Sequence, residues 1–238
     1  MCPPDFKKNE LKPWLNKEWC IPPKQSSKFV CQMEEVLDIY KRPYDPKFPQ
    51  VCMDETSKQL IDEVRAPIPV SANSPAKHDT EYHRNGTVNI FMAYEPLAGN
   101  RVTSVTDRRT KIDWAIFIKD LVDNHYPDAE KIILILDNLN THSKSSLYDA
   151  FTPEEAKRIA DKIELHFTPK HGSWLNIAEI ELSHLSRQCL KRRIPNKQMI
   201  SDEIKSWTSS RNDMKSKTNW RFTTEEARIK LKFLYPLI

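Results

Sequence analysis

Lys131-Ile-Ile-Leu-Ile-Leu-Asp-Asn-Leu-Asn-Thr-His142 sets five consecutive apolar residues, Ile132 to Leu136, in front of a carboxylate and a polar turn. A run of that length without alternation predicts a strand buried on both faces, as at the centre of a parallel or mixed sheet. In open α/β sheets ligands bind beyond the carboxyl ends of the strands, which is where Asp137 falls. Working outward, Gln50-Val-Cys-Met-Asp54-Glu55 repeats the grammar of an apolar run ending in acid. Thr87–Tyr94 and Arg101–Thr106 read as a hairpin around Pro96-Leu-Ala-Gly99. Thr110-Lys-Ile-Asp113 resembles a capping box and opens a helix with Trp114, Phe117, Ile118, Leu121 and Val122 on one face. Thr152-Pro-Glu-Glu155 starts a further helix, and Ile163–Phe167 forms a short strand. The apolar stripe of Ala178, Leu182, Leu185 and Cys189 predicts a helix over residues 175–193, and Thr223 caps a last basic helix. A hairpin followed by alternating helices and strands implies a mixed α/β sheet.

Amino-terminal to the first strand, 28–41 reads as an amphipathic helix, followed by a stiff Pro-rich connector through Pro49. The expected division is therefore 1–49, an amino-terminal helix and connector, and 50–238, a catalytic domain with basic carboxy-terminal helices. Residues 62–85, with Pro67, Pro69 and Pro75, read as a long loop. Trp14 and Trp19 are expected to pack against the main domain.

The totals exclude several classes. Among 238 residues, 39% are hydrophobic and 29% charged, and no apolar run reaches the roughly 18 residues of a membrane span. Five scattered cysteines without a Cys-x-x-Cys argue against a disulfide framework or zinc ribbon, and the spacing of His166, His171, His184 and Cys189 fits no tetrahedral zinc signature. A reducing cytoplasm is the default. The charge is unevenly spread: residues 170–238 hold 14 Lys and Arg against 7 Asp and Glu, whereas the rest is slightly acidic. A basic third beside a carboxylate-bearing core points to a polyanion, with nucleic acid first.

Three acids share one pattern: Asp54 after the first strand, Asp137 after a central strand, and Glu179 or Glu181 on a helix. If the two strands are neighbours, Asp54 and Asp137 emerge side by side, and both stay ionised only with a cation between them. Oxygen ligands of this kind suit Mg²⁺ or Mn²⁺. Two such ions about 3.5–4 Å apart assist in-line cleavage of phosphodiesters. Arg187, Lys191, Arg192 and Arg193, expected on the helix of the third acid, could follow a nucleic-acid backbone. Helix geometry does not choose between Glu179 and Glu181, which lie at about +100° and −60° from Ala178. A two-carboxylate glycosidase would leave the basic helix unexplained.

Cys52-Met-Asp54-Glu55, Leu136-Asp137-Asn138-Leu-Asn140-Thr-His142 and Pro169-Lys-His-Gly-Ser-Trp174-Leu-Asn176-Ile-Ala-Glu179 resemble the three catalytic blocks of the DDE transposases. The likeness is to bacterial insertion-sequence transposases related to the mariner group. It runs from about Leu11 to Tyr235, taking in Arg42-Pro-Tyr-Asp45 and Trp220-Arg-Phe-Thr-Thr224. The resemblance implies a ribonuclease H-like fold, Mg²⁺ or Mn²⁺ as a pair of ions, cleavage at transposon ends, and strand transfer into target DNA, commonly at TA. It assigns Asp54, Asp137 and Glu179 as catalytic metal ligands and leaves Glu181 as a solvated or salt-bridged surface acid. Glu55, Asn138, His142, Trp174 and Asn176 become orienting or DNA-contacting residues, with Arg187, Lys191, Arg192 and Arg193 along the DNA. Trp174 is equally readable as a core anchor. Relatives normally carry amino-terminal helix-turn-helix modules that recognise the terminal repeats. A separately encoded module, a homodimer pairing two ends, and a bacterial cytoplasmic, nucleoid-associated location without membrane contact are therefore expected. The alternative is a truncated, catalytically silent remnant that binds DNA or regulates a full-length relative.

Overall fold

A computed structural model of the protein describes residues 21–22 and 24–236; Trp14 and Trp19 lie outside the described residues. The apolar run becomes β4 (Ile132–Leu136), and all five of its residues are buried. It is the fourth strand of a sheet ordered β3-β2-β1-β4-β5, made with β1 (Gln50–Glu63), β2 (Tyr82–Glu95), β3 (Asn100–Thr106) and β5 (Ile163–Phe167). β4 runs parallel to both β1 and β5, while β1, β2 and β3 form an antiparallel meander. Burying five aliphatic side chains contributes roughly 7–15 kcal/mol gross, so this run could not sit at an edge without forfeiting much of it.

Strand alternation divides the core into two faces. Val51, Met53, Leu134 and Leu136 face α2 (Lys111–Asp120), α3 (Ser145–Ala150) and α4 (Pro153–Lys162). Cys52, Ile133 and Ile135 pack against α1 (Ser27–Tyr40), the start of α5 (Ile177–Gln188) and α7 (Thr224–Lys230). A third cluster joins Leu60, Ile90 and Met92 of the meander to Leu182 and Leu185 of α5 and to Ile200 and Ile204 of α6 (Lys197–Asp213). The mixed five-stranded sheet flanked by helices is the ribonuclease H-like architecture expected. No helix among the described residues is long and apolar enough to cross a membrane.

Local chemistry sets most boundaries. The Thr110 capping box is formed reciprocally with Asp113, and Thr223 makes the same arrangement with Glu226. Thr152 caps α4 with Pro153 at its first turn, where the missing N–H costs nothing. Gly99 adopts φ +73 in the β2–β3 turn, and an added Cβ would lie 2.7 Å from the Lys215 backbone carbon. Both the conformation and the close approach demand glycine there.

Two expectations need correction, and one helix went unread. β1 does not stop at Glu55 but continues to Glu63, because β2 supplies a hydrogen-bonded partner through Tyr82; the intervening loop spans 64–81 rather than 62–85. The helix expected over 175–193 ends at Gln188, with Cys189 as its cap, so Lys191, Arg192 and Arg193 stand in a connector. The polar segment 197–213 is a helix that shows little apolar periodicity, burying only Ile200 and Ile204.

Candidate active site

The parallel register brings the first two acids together. Gln50, Val51 and Cys52 lie opposite Ile133, Leu134 and Ile135, and the same offset carried two residues on sets Asp54 opposite Asp137. Neighbouring strands lie about 4.8 Å apart, so the carboxylates leave adjacent backbones at the carboxyl end of β4. Asp54 is not at the end of its strand, as expected, but at the point where β1 outruns β4 and loses that neighbour.

Glu179 arrives from the first turn of α5, whose position is fixed by Asn176. This residue is buried; its Oδ1 accepts from the Ala178 N–H at 3.1 Å, capping the helix. Its Nδ2 donates to the Met53 carbonyl at 2.9 Å, one residue before Asp54. The preceding turn is equally constrained. Gly172 allows a contact with Pro169 in which a Cβ would sit 2.5 Å from Cγ, and the Tyr40 hydroxyl donates to the Leu175 carbonyl at 2.7 Å. Trp174 is half-buried, its ring stacked at 6.5 Å on Trp220 and edge-on to Phe222 at 5.8 Å. Trp174 therefore anchors the turn.

The electrostatics follow from the crowding. Burial pushes the Asp54 carboxyl up to about 7; the Glu55 N–H donated to Oδ1 at 2.8 Å works the other way, and the charges of Glu179, Asp137 and Glu55 raise it further. Carboxylates concentrated this way stay ionised together only with a cation between them. Alternation turns Glu55 to the opposite face of the sheet, where His142 is buried against Trp114 at 5.9 Å. His142 Nε2 lies 3.2 Å from Glu55 Oε2 and Nδ1 lies 2.7 Å from Asp137 Oδ1. These are close ion-pair contacts rather than well-directed hydrogen bonds, since Glu55 Oε2, Asp137 Oδ1 and His142 Nε2 all lack an aligned partner. Burial works to lower the pKa of the imidazole, yet the contacts with Asp137 and Glu55 outweigh it and lift the ring to about 9. His142 thus links Asp137 to Glu55.

The donor set, three carboxylates of which Asp137 has one oxygen held by His142 at 2.7 Å and a second left for a ligand, suits a hard divalent cation. Among the described residues no three acid, histidine or cysteine side chains close into a ready-made cage. Mg²⁺ does not require one, because it keeps several waters and is usually held by one or two carboxylates together with substrate phosphate.

The other expected residues divide. Asn138 is exposed beside Asp137, and Arg187 and Lys191 are exposed. Arg192 is exposed and paired with Glu203. Arg193 is spent internally: it pairs with Glu63, donates to the backbone carbonyls of Asp79 and Glu81 at 2.9 and 3.1 Å, and lies over the Tyr82 ring. It ties the 64–81 loop to the α5–α6 connector rather than facing solvent. Glu181 is not a surface acid. Only 2% exposed, it accepts from buried Arg101 Nε at 2.7 Å and from Arg211 at 2.9 Å. Tyr40 is a contributor that the sequence did not single out; as one of several apolar positions on α1 it gave no separate signal.

No curated protein sequence matches the chain. Among solved structures, the catalytic domain of Mos1 mariner transposase superposes with a TM-score of 0.56 at 11% identity, covering 91% of this chain and 100% of that one. The Mos1 strand transfer complex gives 0.61 at 11% identity over 98% of this chain and 69% of that one. The Mos1 mariner paired end complex with Mn gives 0.56 at 12% identity, over 89% and 63%. The chain thus spans about two thirds of the longer Mos1 chains, and at such identities the likeness establishes the fold alone. The sequence itself matches the model of the DDE superfamily endonucleases over residues 49–201, well over half its length. The chain belongs to the DDE superfamily endonuclease family.

Proposed function

We propose that this chain is the catalytic domain of a DNA transposase, cutting DNA strands at element ends and joining a freed 3′-hydroxyl to target DNA. The observation that carries the reading is the convergence of Asp54, Asp137 and Glu179 from two adjacent parallel strands and a capped helix, with Asp54 feeling the charge of both other acids. Family membership and the likeness to a Mos1 paired end complex with Mn support a divalent metal, Mg²⁺ or Mn²⁺. Asp54 and Asp137 would hold it jointly, and Glu179 would complete the shell of a second ion. Bound there, the metal supplies Lewis acidity toward the scissile phosphate. The chain's own contribution is to hold three carboxylates in register before substrate arrives. His142 and Glu55 fix the Asp137 rotamer, and Asn176 ties α5 to β1. Water and then the 3′-hydroxyl serve as nucleophiles, so no covalent protein–DNA intermediate is needed.

DNA is the partner, as in the Mos1 transposase paired-end complex with left transposon end. Recognition of terminal repeats by a helix-turn-helix module, pairing of two ends by a homodimer, insertion at TA and action at the bacterial nucleoid extend the same reading. The test is Mg²⁺-dependent nicking of end-containing plasmid by wild type and by Asp137→Asn. Loss of nicking in a folded variant is expected; undiminished nicking overturns the assignment, and a wild type that binds DNA without ever nicking it favours a silent remnant.

A further inference from the structure

At the carboxyl ends of β4 and β5, beside Asp137, a cleft of about 370 Å³ opens between the first turns of α1 and the turn that follows β5. Its lining includes Lys28, Phe29 and Gln32 from α1, Asn138 after β4, and Lys170 and His171 after β5. Phe29 is buried and gives the cleft an apolar floor, while Lys28, Asn138, Lys170 and His171 are exposed. Among the described residues, Lys28 and Lys170 enter no ion pair and no acid lines the cleft. His171 holds φ +65 without being glycine, a conformation that costs energy and is often kept at ligand sites.

We propose that this cleft is a nucleotide subsite, holding one unpaired nucleotide of the DNA strand next to the scissile phosphate. Small-ligand pockets span roughly 300–1,000 Å³, so the cleft has room for a nucleotide. Two unpaired ammonium groups suit the flanking phosphates. The Phe29 floor and the His171 ring suit a base face, and the Gln32 and Asn138 amides can meet its edge. Grooves for single-stranded nucleic acid combine this positive charge with flat surfaces for bases. Chain continuity sets the address: Asn138 follows Asp137 directly, so a strand whose phosphate lies at the acids runs into the cleft within one residue's reach. The subsite rests on the transposase reading for its location and on its own chemistry for its ligand.

The test compares wild type with Lys28→Ala/Lys170→Ala on two fluorescein-labelled probes, a short duplex with a single-stranded tail and the same duplex blunt. Binding is followed by fluorescence anisotropy in Ca²⁺ across a salt series, with circular dichroism to check the fold. Both lysines are exposed and outside the catalytic set, so the variant is expected to fold. For the tailed probe the slope of log affinity against log salt falls by about 1.4, two contacts at roughly 0.7 each, while the blunt probe is unaffected. An unchanged slope on the tailed probe, an equal fall on both, or no wild-type preference for the tail overturns the subsite. Plasmid nicking is read in parallel. If nicking is absent while the tail-specific loss persists, the catalytic reading fails and the subsite stands.

Discussion

Asn176 is the residue through which the third acid is set against the first two, and its removal has a cost that can be worked out. Asn176→Ala deletes the cap of α5 at the Ala178 N–H and the donor to the Met53 carbonyl, both in the buried interior. Losing an N-cap costs about 1 kcal/mol, and leaving a buried carbonyl without its donor costs about 1–3 kcal/mol. The sum is roughly 2–4 kcal/mol, which lowers the melting temperature of a chain this size by about 5–15 °C. Asn176→Asp separates the two parts: the carboxylate still caps the helix but cannot donate to Met53. It should keep the cap but add the cost of a buried carboxylate facing that carbonyl, and it frees α5 from β1 as fully as alanine does. Thermal unfolding by circular dichroism reads the stabilities, and nicking kinetics in Mg²⁺ read the consequence. Both variants should lower kcat with little change in KM for DNA, because the hydrogen bond to Met53 orients Glu179 and does not bind substrate. A melting temperature within a degree of wild type, or Asn176→Asp nicking at the wild-type rate, would refute the coupling of helix to strand.

Arg101→Met strands the buried Glu181 carboxylate, and breaking a buried pair from one side costs about 3–5 kcal/mol. Arg211 remains at 2.9 Å, so urea denaturation should fall at the lower end, and Arg101→Met/Glu181→Leu should recover most of the loss. Burial alone would raise the Glu181 pKa, but Arg101 and Arg211 lower it on balance from 4.5. Its stability is therefore present above pH 4.5 and lost as pH falls through the depressed folded value, so the double variant should show a flatter acid limb in the same denaturation experiment. Asp54 has the opposite sign: with a folded pKa near 7 against 3.8 unfolded, the folded state holds its proton longer, and metal-free stability falls as pH rises between those values. Asp54→Asn should therefore melt higher than wild type at pH 8 without metal and equally at pH 3, by differential scanning fluorimetry.

What the sequence disclosed depended on whether the signal was local. β4 and β5 were legible because apolar runs bounded by turns need no distant partner to be recognised. α2, α4 and α7 announced themselves through threonine caps. β1 beyond Glu55 was not legible, since Thr56-Ser-Lys-Gln carries no strand pattern and is held by β2. α6 escaped for a similar reason: its two buried isoleucines gain meaning only against the meander. At the site, residue identity located the acids and register brought two of them together. Helix angle could not tell Glu179 from Glu181. Arg101 draws Glu181 into a buried pair across 80 residues of sequence, a contact invisible to helix angle. Arg193 was misread for the same reason, as its partners Glu63 and Asp79 lie at the far end of a loop.

The central claim is that Asp54 and Asp137 jointly grip a divalent cation. Crystals soaked in Mn²⁺ and measured at the manganese absorption edge test it without reference to activity. The account predicts an anomalous peak about 2.1 Å from a carboxylate oxygen of each aspartate, absent from Asp137→Asn crystals. Ordered aspartates with no peak between them in saturating Mn²⁺, or a peak that survives the substitution, would contradict it.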